Sequence, residues 1–134
     1  MGPTRIYLIR HAETTWNAEG RLQGSLDAPL SDRGQRQVDH LVAVMQEVPL
    51  AAIYSSPLQR ALETARPLGV ARRLPVGVVE AFREMGQGEW EGFPWPTTSR
   101  WIAGFSSCFR LTLSLAIDKR PVPSEVDFKI RIGI

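Results

Sequence analysis

The sequence predicts an α/β protein built on a parallel sheet, and two observations carry that expectation. Short apolar runs rich in β-formers, Ile6-Tyr7-Leu8-Ile9, Leu50-Ala51-Ala52-Ile53-Tyr54 and Leu74 to Val79, have the length of buried strands. Between them lie stretches with helical spacing, so the order is β-α-β-α-β, the pattern of parallel strands joined by right-handed crossovers.

The first run, expected to be buried on both faces, delivers Arg10-His11 to the carboxyl end of its strand. In open α/β sheets that edge is where ligands bind. A fixed cation thus stands beside the one side chain whose ordinary pKa lies near neutrality. Thr14 to Pro29 follows as a long polar loop, a length more often functional than structural. Ser31 caps the next helix, whose apolar face is Val38, Leu41, Val42 and Met45 and which Pro49 stops; His40 falls on its solvent side. After the second strand, Ser56 is the expected N-cap and Pro57 the first-turn residue of a helix with Leu58, Ala61, Leu62 and Ala65 inward. Pro67 should end or kink it, with Gly69 just beyond. Arg60, near that helix's positive end, is well placed for a phosphate; the competing reading is a solvated arginine, or one paired with Glu63. Glu80 to Trp95 is expected to loop over the sheet's carboxyl edge.

Leu8-Ile9-Arg10-His11-Ala12-Glu13-Thr14, Trp16-Asn17, Arg21-Leu22-Gln23-Gly24 and Asp27-Ala28-Pro29-Leu30-Ser31 together resemble the signature of the histidine phosphatase superfamily, the phosphoglycerate-mutase-like group. Tyr54-Ser55-Ser56-Pro57-Leu58-Gln59-Arg60-Ala61, Glu84-Met85-Gly86 and Gly88-Glu89-Trp90-Glu91-Gly92 continue the resemblance, which covers residues 5 to about 95. It implies an α/β, parallel-sheet three-layer sandwich, here incomplete, with 1–95 as the core and 96–134 as an atypical C-terminal segment of the same domain.

The resemblance also implies a phosphomonoester phosphatase acting through phosphohistidine. In that scheme His11 is the nucleophile and Glu84 the acid for the leaving oxygen, in preference to Glu13, Glu89 and Glu91. Arg10 and Arg60 present planar forks of donors to phosphate oxygens, and Asn17 and Gln23 add neutral donors. Gln23 to Leu30 looks more like the phosphatase branch than the glycolytic mutases, a mutase being the second enzymatic option. Ala12 stands where glycine is commoner, which a methyl group tolerates unless the backbone there needs a positive φ. The family's pocket also has a second histidine after a late strand. Here the histidines are His11 and His40, and His40 lies in the wrong element. A catalytically impaired, phosphate-binding remnant is therefore the third reading.

The tail departs from the family pattern. Leu111, Leu113, Leu115 and Ile117 share one face, as do Val126, Phe128, Ile130, Ile132 and Ile134, both at period two. A β-rich, hairpin-like end is expected, and an altered or truncated C-terminus accounts for it.

With 134 residues, 43% of them hydrophobic, the chain supports one domain with a sizeable core. A net charge of +2 from scattered arginines, without an aromatic-interleaved basic stripe, argues against nucleic acid. Trp101 to Ile117 is broken by Ser106, Ser107 and Arg110 and falls short of the roughly 20 uncharged residues a spanning helix needs, so no membrane partner is expected. The single Cys108 and the lack of a signal-like N-terminal run suit the cytoplasm. Two distant histidines and one cysteine make no ligand cluster, so neither metal nor other cofactor is expected. The expected partner is a phosphorylated small molecule; oligomeric state stays open, exposed strand edges allowing self-association.

Overall fold

The computed structural model describes residues 5–94 and the backbone of 113–118. In chain order the elements are β1 (Arg5–Arg10), α1 (Thr15–Ala18), α2 (Asp32–Met45), β2 (Leu50–Ser55), α3 (Gln59–Arg72), β3 (Val76–Val78) and β4 (Leu113–Asp118). Short 3-10 turns at Glu80–Phe82 and Gly88–Trp90 shape the segment after β3.

The four strands form one sheet in the order β1-β4-β2-β3. β2 and β3 pair in parallel, as the alternating pattern predicts. The purely parallel sheet needs correcting, because β4 runs antiparallel to both of its neighbours. Leu115 lies opposite Leu8 on one side and opposite Tyr54 on the other. An antiparallel ladder satisfies the backbone groups of both flanking strands, so one reversed strand can close the gap between two that point the same way. β1, β2 and β3 therefore share a direction, and the segments following all three emerge at one edge. The expected tail strand falls where β4 lies; its companion over 126–134 and Cys108 lie outside the described residues.

β1 is less buried than expected. Among the described residues it pairs on one side only, and Ile6 remains 39% exposed.

The core lies between the sheet and the two long helices. Met45 of α2, Ile53 of β2, and Ala65 and Leu68 of α3 are its buried centre, with Tyr7, Ile9, Leu41 and Val76 packed around them. α2 begins where Ser31 Oγ accepts the Gly34 amide at 3.0 Å, as its sequence predicts, and ends at Met45, short of Pro49. Gly34 lies against the chain just after β1: a Cβ there would stand 2.0 Å from the Glu13 carbonyl oxygen.

α3 differs from expectation at both ends. Its N-cap is Leu58, not Ser56, and no side chain of that residue caps it. Asp27, reaching across from the long loop, accepts the Gln59 amide at 2.7 Å and the Arg60 amide at 3.4 Å instead. Pro67 does not end the helix, which runs on to Arg72. Proline inside a helix costs about 3 kcal/mol, and burial of Leu68 and Gly69 on the next turn offsets it. Gly69 sits inside the helix because a Cβ would come within 2.8 Å of Val76 Cγ2, where the chain turns back into β3.

Candidate active site

His11 follows β1 directly and is half-buried. Its Nδ1 lies 2.7 Å from the Ala12 carbonyl oxygen. A carbonyl only accepts, so Nδ1 carries the proton and Nε2 holds the lone pair. Burial pushes the imidazole pKa down to about 4; the Ala12 hydrogen bond opposes this, and the cations Arg60 and Arg10 reinforce it. At neutral pH the ring is uncharged, with the lone pair on Nε2.

The backbone around His11 is clamped from both helices. Ala12 N–H donates to Thr64 Oγ1 of α3 at 2.9 Å, and Glu13 N–H to Gln37 Oε1 of α2 at 2.8 Å. Ser31 Oγ donates to Glu13 Oε1 at 2.7 Å, and Arg33 stands 3.6 Å from the other carboxylate oxygen. Ala12 has no positive φ; its methyl group packs with Leu30 and Val38. The alanine is thus accommodated.

The expected unstructured loop holds one helical turn, α1. Thr14 caps it reciprocally: Asn17 N–H donates to Thr14 Oγ1 at 3.1 Å while Asn17 Oδ1 accepts the Thr14 amide at 3.0 Å. The Asn17 oxygen is therefore structural, and its amide nitrogen is the atom that could serve a ligand. Farther along, the Arg21 guanidinium lies 4.3 Å over the Trp16 ring and donates to Gly92 O at 2.7 Å. Glu91 Oε1 accepts from Ser25 N at 2.8 Å, Ser25 Oγ at 3.0 Å and Gln87 N at 2.8 Å. These bonds hold the chain after β3 against the loop after β1, and they draw the Glu91 carboxyl below its usual range.

Arg60 is buried, at 2% exposure. Nη2 donates to Gly24 O at 2.7 Å, and Nη1 to Leu26 O at 2.7 Å and to Asp27 Oδ1 at 3.2 Å. Pairing with Glu63 is not what it does; Glu63 accepts from Gln59 Nε2 at 2.9 Å. The positive charge is nevertheless felt at His11, and Glu84 is felt at Arg60. Glu84 is half-buried and accepts the Met85 amide at 3.2 Å. Gln23 is buried, and its Oε1 has no hydrogen-bond partner among the described residues.

Of the six residues singled out from sequence, Arg10, His11 and Asn17 line one cavity of about 330 Å³, together with Glu13, Arg33 and Gln37. Arg60, Gln23 and Glu84 stand outside that lining. His40 is exposed on α2, away from the cavity. Among the described residues no group of His, Cys, Asp or Glu gathers as a metal would require, and no helix is long and apolar enough to cross a membrane. Sequence reasoning missed Asp27, Thr64 and Gln37. Asp27 and Thr64 lie within or next to the recognised blocks, but their targets are backbone and side-chain atoms distant in sequence.

A neutral imidazole beside Arg10 and within the field of Arg60, at the carboxyl edge of an α/β sheet, points to a class, and comparison with known proteins agrees. The profile of the histidine phosphatase superfamily (branch 1) matches residues 6–110, and the chain belongs to that family. It is 41% identical over 88 residues to phosphoserine phosphatase 1 of Hydrogenobacter thermophilus, covering 66% of this chain and 42% of that protein. To glucosyl-3-phosphoglycerate phosphatase of Mycolicibacterium vanbaalenii it is 40% identical over 88 residues, covering 66% and 39%. The solved structure of a mycobacterial glucosyl-3-phosphoglycerate phosphatase in complex with VO3 superposes with a TM-score of 0.63 at 35% identity, over 68% of this chain and 43% of that one. The chain thus spans about two fifths of the length of these relatives.

Proposed function

We propose that the chain is a phosphomonoester phosphatase working through a phosphohistidine, and that its substrates are phosphorylated small molecules. The observation that carries this reading is the state of His11: Nδ1–H bonded to the Ala12 carbonyl, and the ring neutral because burial holds its pKa near 4. Nε2 attacks phosphorus; the N–P bond forms as the bond to the ester oxygen breaks. Glu84 protonates the departing alkoxide. Water then cleaves the N–P bond and releases inorganic phosphate, regenerating the imidazole. Arg10 and Arg60 offset the charge on the phosphoryl oxygens, and Asn17 and Gln23 supply neutral donors. The named phosphatases among the relatives support the reaction class. Action in the cytoplasm belongs to the same proposal, the single cysteine being its support. So does a single domain that includes residues 96–134, supported by the seat of β4 between β1 and β2.

A second reading, phosphate binding without turnover, is favoured by one observation. Both Arg60 Nη atoms already serve Gly24, Leu26 and Asp27. Losing one preorganised oxyanion donor costs on the order of 10²–10³ in rate.

Aryl-phosphate hydrolysis by the purified chain beside His11→Ala separates the two. Phosphate release that disappears in the variant, together with an acid-labile, alkali-stable phosphoryl adduct on His11, supports the phosphatase. Saturable vanadate binding with no release and no adduct supports the second reading and overturns the first.

A further inference from the structure

Thr64 is 2% exposed and makes two hydrogen bonds through one hydroxyl. Oγ1 donates to the Arg60 carbonyl one helical turn back at 2.8 Å, and that bond settles where its proton goes. The lone pair left over accepts Ala12 N–H at 2.9 Å, across 52 residues of sequence. On the far side of the same residue, the Ala12 carbonyl takes His11 Nδ1–H at 2.7 Å. A relay therefore runs from the α3 backbone through one hydroxyl to the imidazole.

We propose that Thr64 is a positioning residue for His11, setting the orientation of the Ala12 residue so that its carbonyl holds the proton on Nδ1 and leaves Nε2 bare.

Helix α3 is the rigid reference in this relay, since its inner face is in the core. A hydroxyl that back-bonds to its own helix has its rotor fixed, and its acceptor direction is then fixed as well. Ala12 is buried, so its N–H has no solvent to turn to if Thr64 is lost. Residue 12 would then settle into whatever geometry satisfies that amide, and the carbonyl would leave Nδ1. The imidazole would take up the other tautomer, placing a proton on the attacking nitrogen. Gln37 Oε1 accepts the Glu13 amide at 2.8 Å, which shares its peptide with the Ala12 carbonyl, so residue 12 is held from both sides. Thr64 fixes the peptide before its α-carbon and Gln37 the one after it, and Thr64→Val releases the first of these holds. As a role in catalysis this inference rests on the phosphatase reading; as a statement about the tautomer it stands apart from it.

Nitrogen-15 NMR of the imidazole at neutral pH, in the whole chain, tests it, since the two neutral tautomers have distinct shifts. Wild type is expected to show the Nδ1–H form with a slowly exchanging Ala12 amide. Thr64→Val, isosteric but without the hydroxyl, is expected to shift the population toward Nε2–H. Its aryl-phosphate kcat should fall roughly 10- to 100-fold, as when a partner orienting a ligating histidine is removed, with KM within about twofold. Thr64→Ser should restore tautomer and kcat. A valine variant with wild-type tautomer and kcat overturns the proposal, even if its stability drops, and so does a wild type in the Nε2–H form. Should the valine variant not fold, wild type decides alone: fast exchange at Ala12 overturns the relay, and protection with Nδ1–H sustains it. A wild type without turnover whose tautomer still responds to Thr64→Val refutes the phosphatase reading while sustaining the relay.

Discussion

Replacing Asp27 tests whether one loop carboxylate both caps α3 and neutralises the buried arginine. In Asp27→Ala, Arg60 Nη1 loses the carboxylate 3.2 Å away while remaining 2% exposed. Removing one partner of a buried pair costs about 3–5 kcal/mol. The low end applies, because Asp27 itself is 29% exposed and Arg60 keeps the Gly24 and Leu26 carbonyls. The Gln59 amide, bonded at 2.7 Å, also loses its acceptor, and a lost N-cap costs about 1 kcal/mol. The two losses share one side chain and are not fully additive, so about 3–4 kcal/mol is expected in all. Asp27→Asn gives up the charge and one of two acceptor oxygens, since Gln59 bonds Oδ2 and Arg60 bonds Oδ1, and an intermediate loss of about 2 kcal/mol is expected. Urea denaturation of wild type and both variants reads these values directly. An asparagine variant as stable as wild type would refute the charge component, and equal losses in the two variants would refute the acceptor component; a loss under about 1 kcal/mol in Asp27→Ala would refute the whole account.

Other consequences follow from the same contacts. Gly34→Ala improves helix propensity by about 1 kcal/mol but drives a methyl group to 2.0 Å from the Glu13 carbonyl, so a net loss of about 1–2 kcal/mol is expected; a variant more stable than wild type would show that α2 does not bear on the His11 loop. With the His11 pKa held near 4, the acid limb of kcat/KM for aryl phosphate should lie near pH 4, and a limb near 6.5 would mean the ring is solvated. The same shift has a stability sign. The unfolded chain binds the His11 proton first, so stability declines as pH falls through about 6.5 and the penalty is complete below about 4; His11→Gln should flatten that decline in urea titrations. Glu91→Ala removes the acceptor shared by Ser25 and Gln87, and faster hydrogen exchange at both amides is expected, with α2 and α3 unchanged.

Much of this protein is legible in its amino-acid sequence. The β-α-β-α-β order, Ser31 as a cap and the apolar face of α2 follow from local chemistry and periodicity, which act over a few residues and leave their mark in the spacing. His11 can be named because it follows a strand in a motif with few alternative meanings. Sequence alone does not show the direction of β4: a period-two pattern says which residues share a face, not which neighbour they pair with or which way the strand runs. Pro67 misleads for a similar reason, since the burial that carries α3 past it depends on residues brought in from β3 and α2.

The same division runs through the candidate site. Sequence determined which groups are present: an imidazole, two arginines, an acid and two neutral donors. Tertiary structure decided their states. Which imidazole nitrogen holds the proton depends on the Ala12 carbonyl; the N–H of that same residue donates to Thr64, 52 positions away. What neutralises Arg60 is Asp27, 33 positions earlier. Hydrogen bonds and desolvation act over a few ångströms in space, whatever the separation along the chain, so protonation and orientation become fixed only when the fold brings those atoms together.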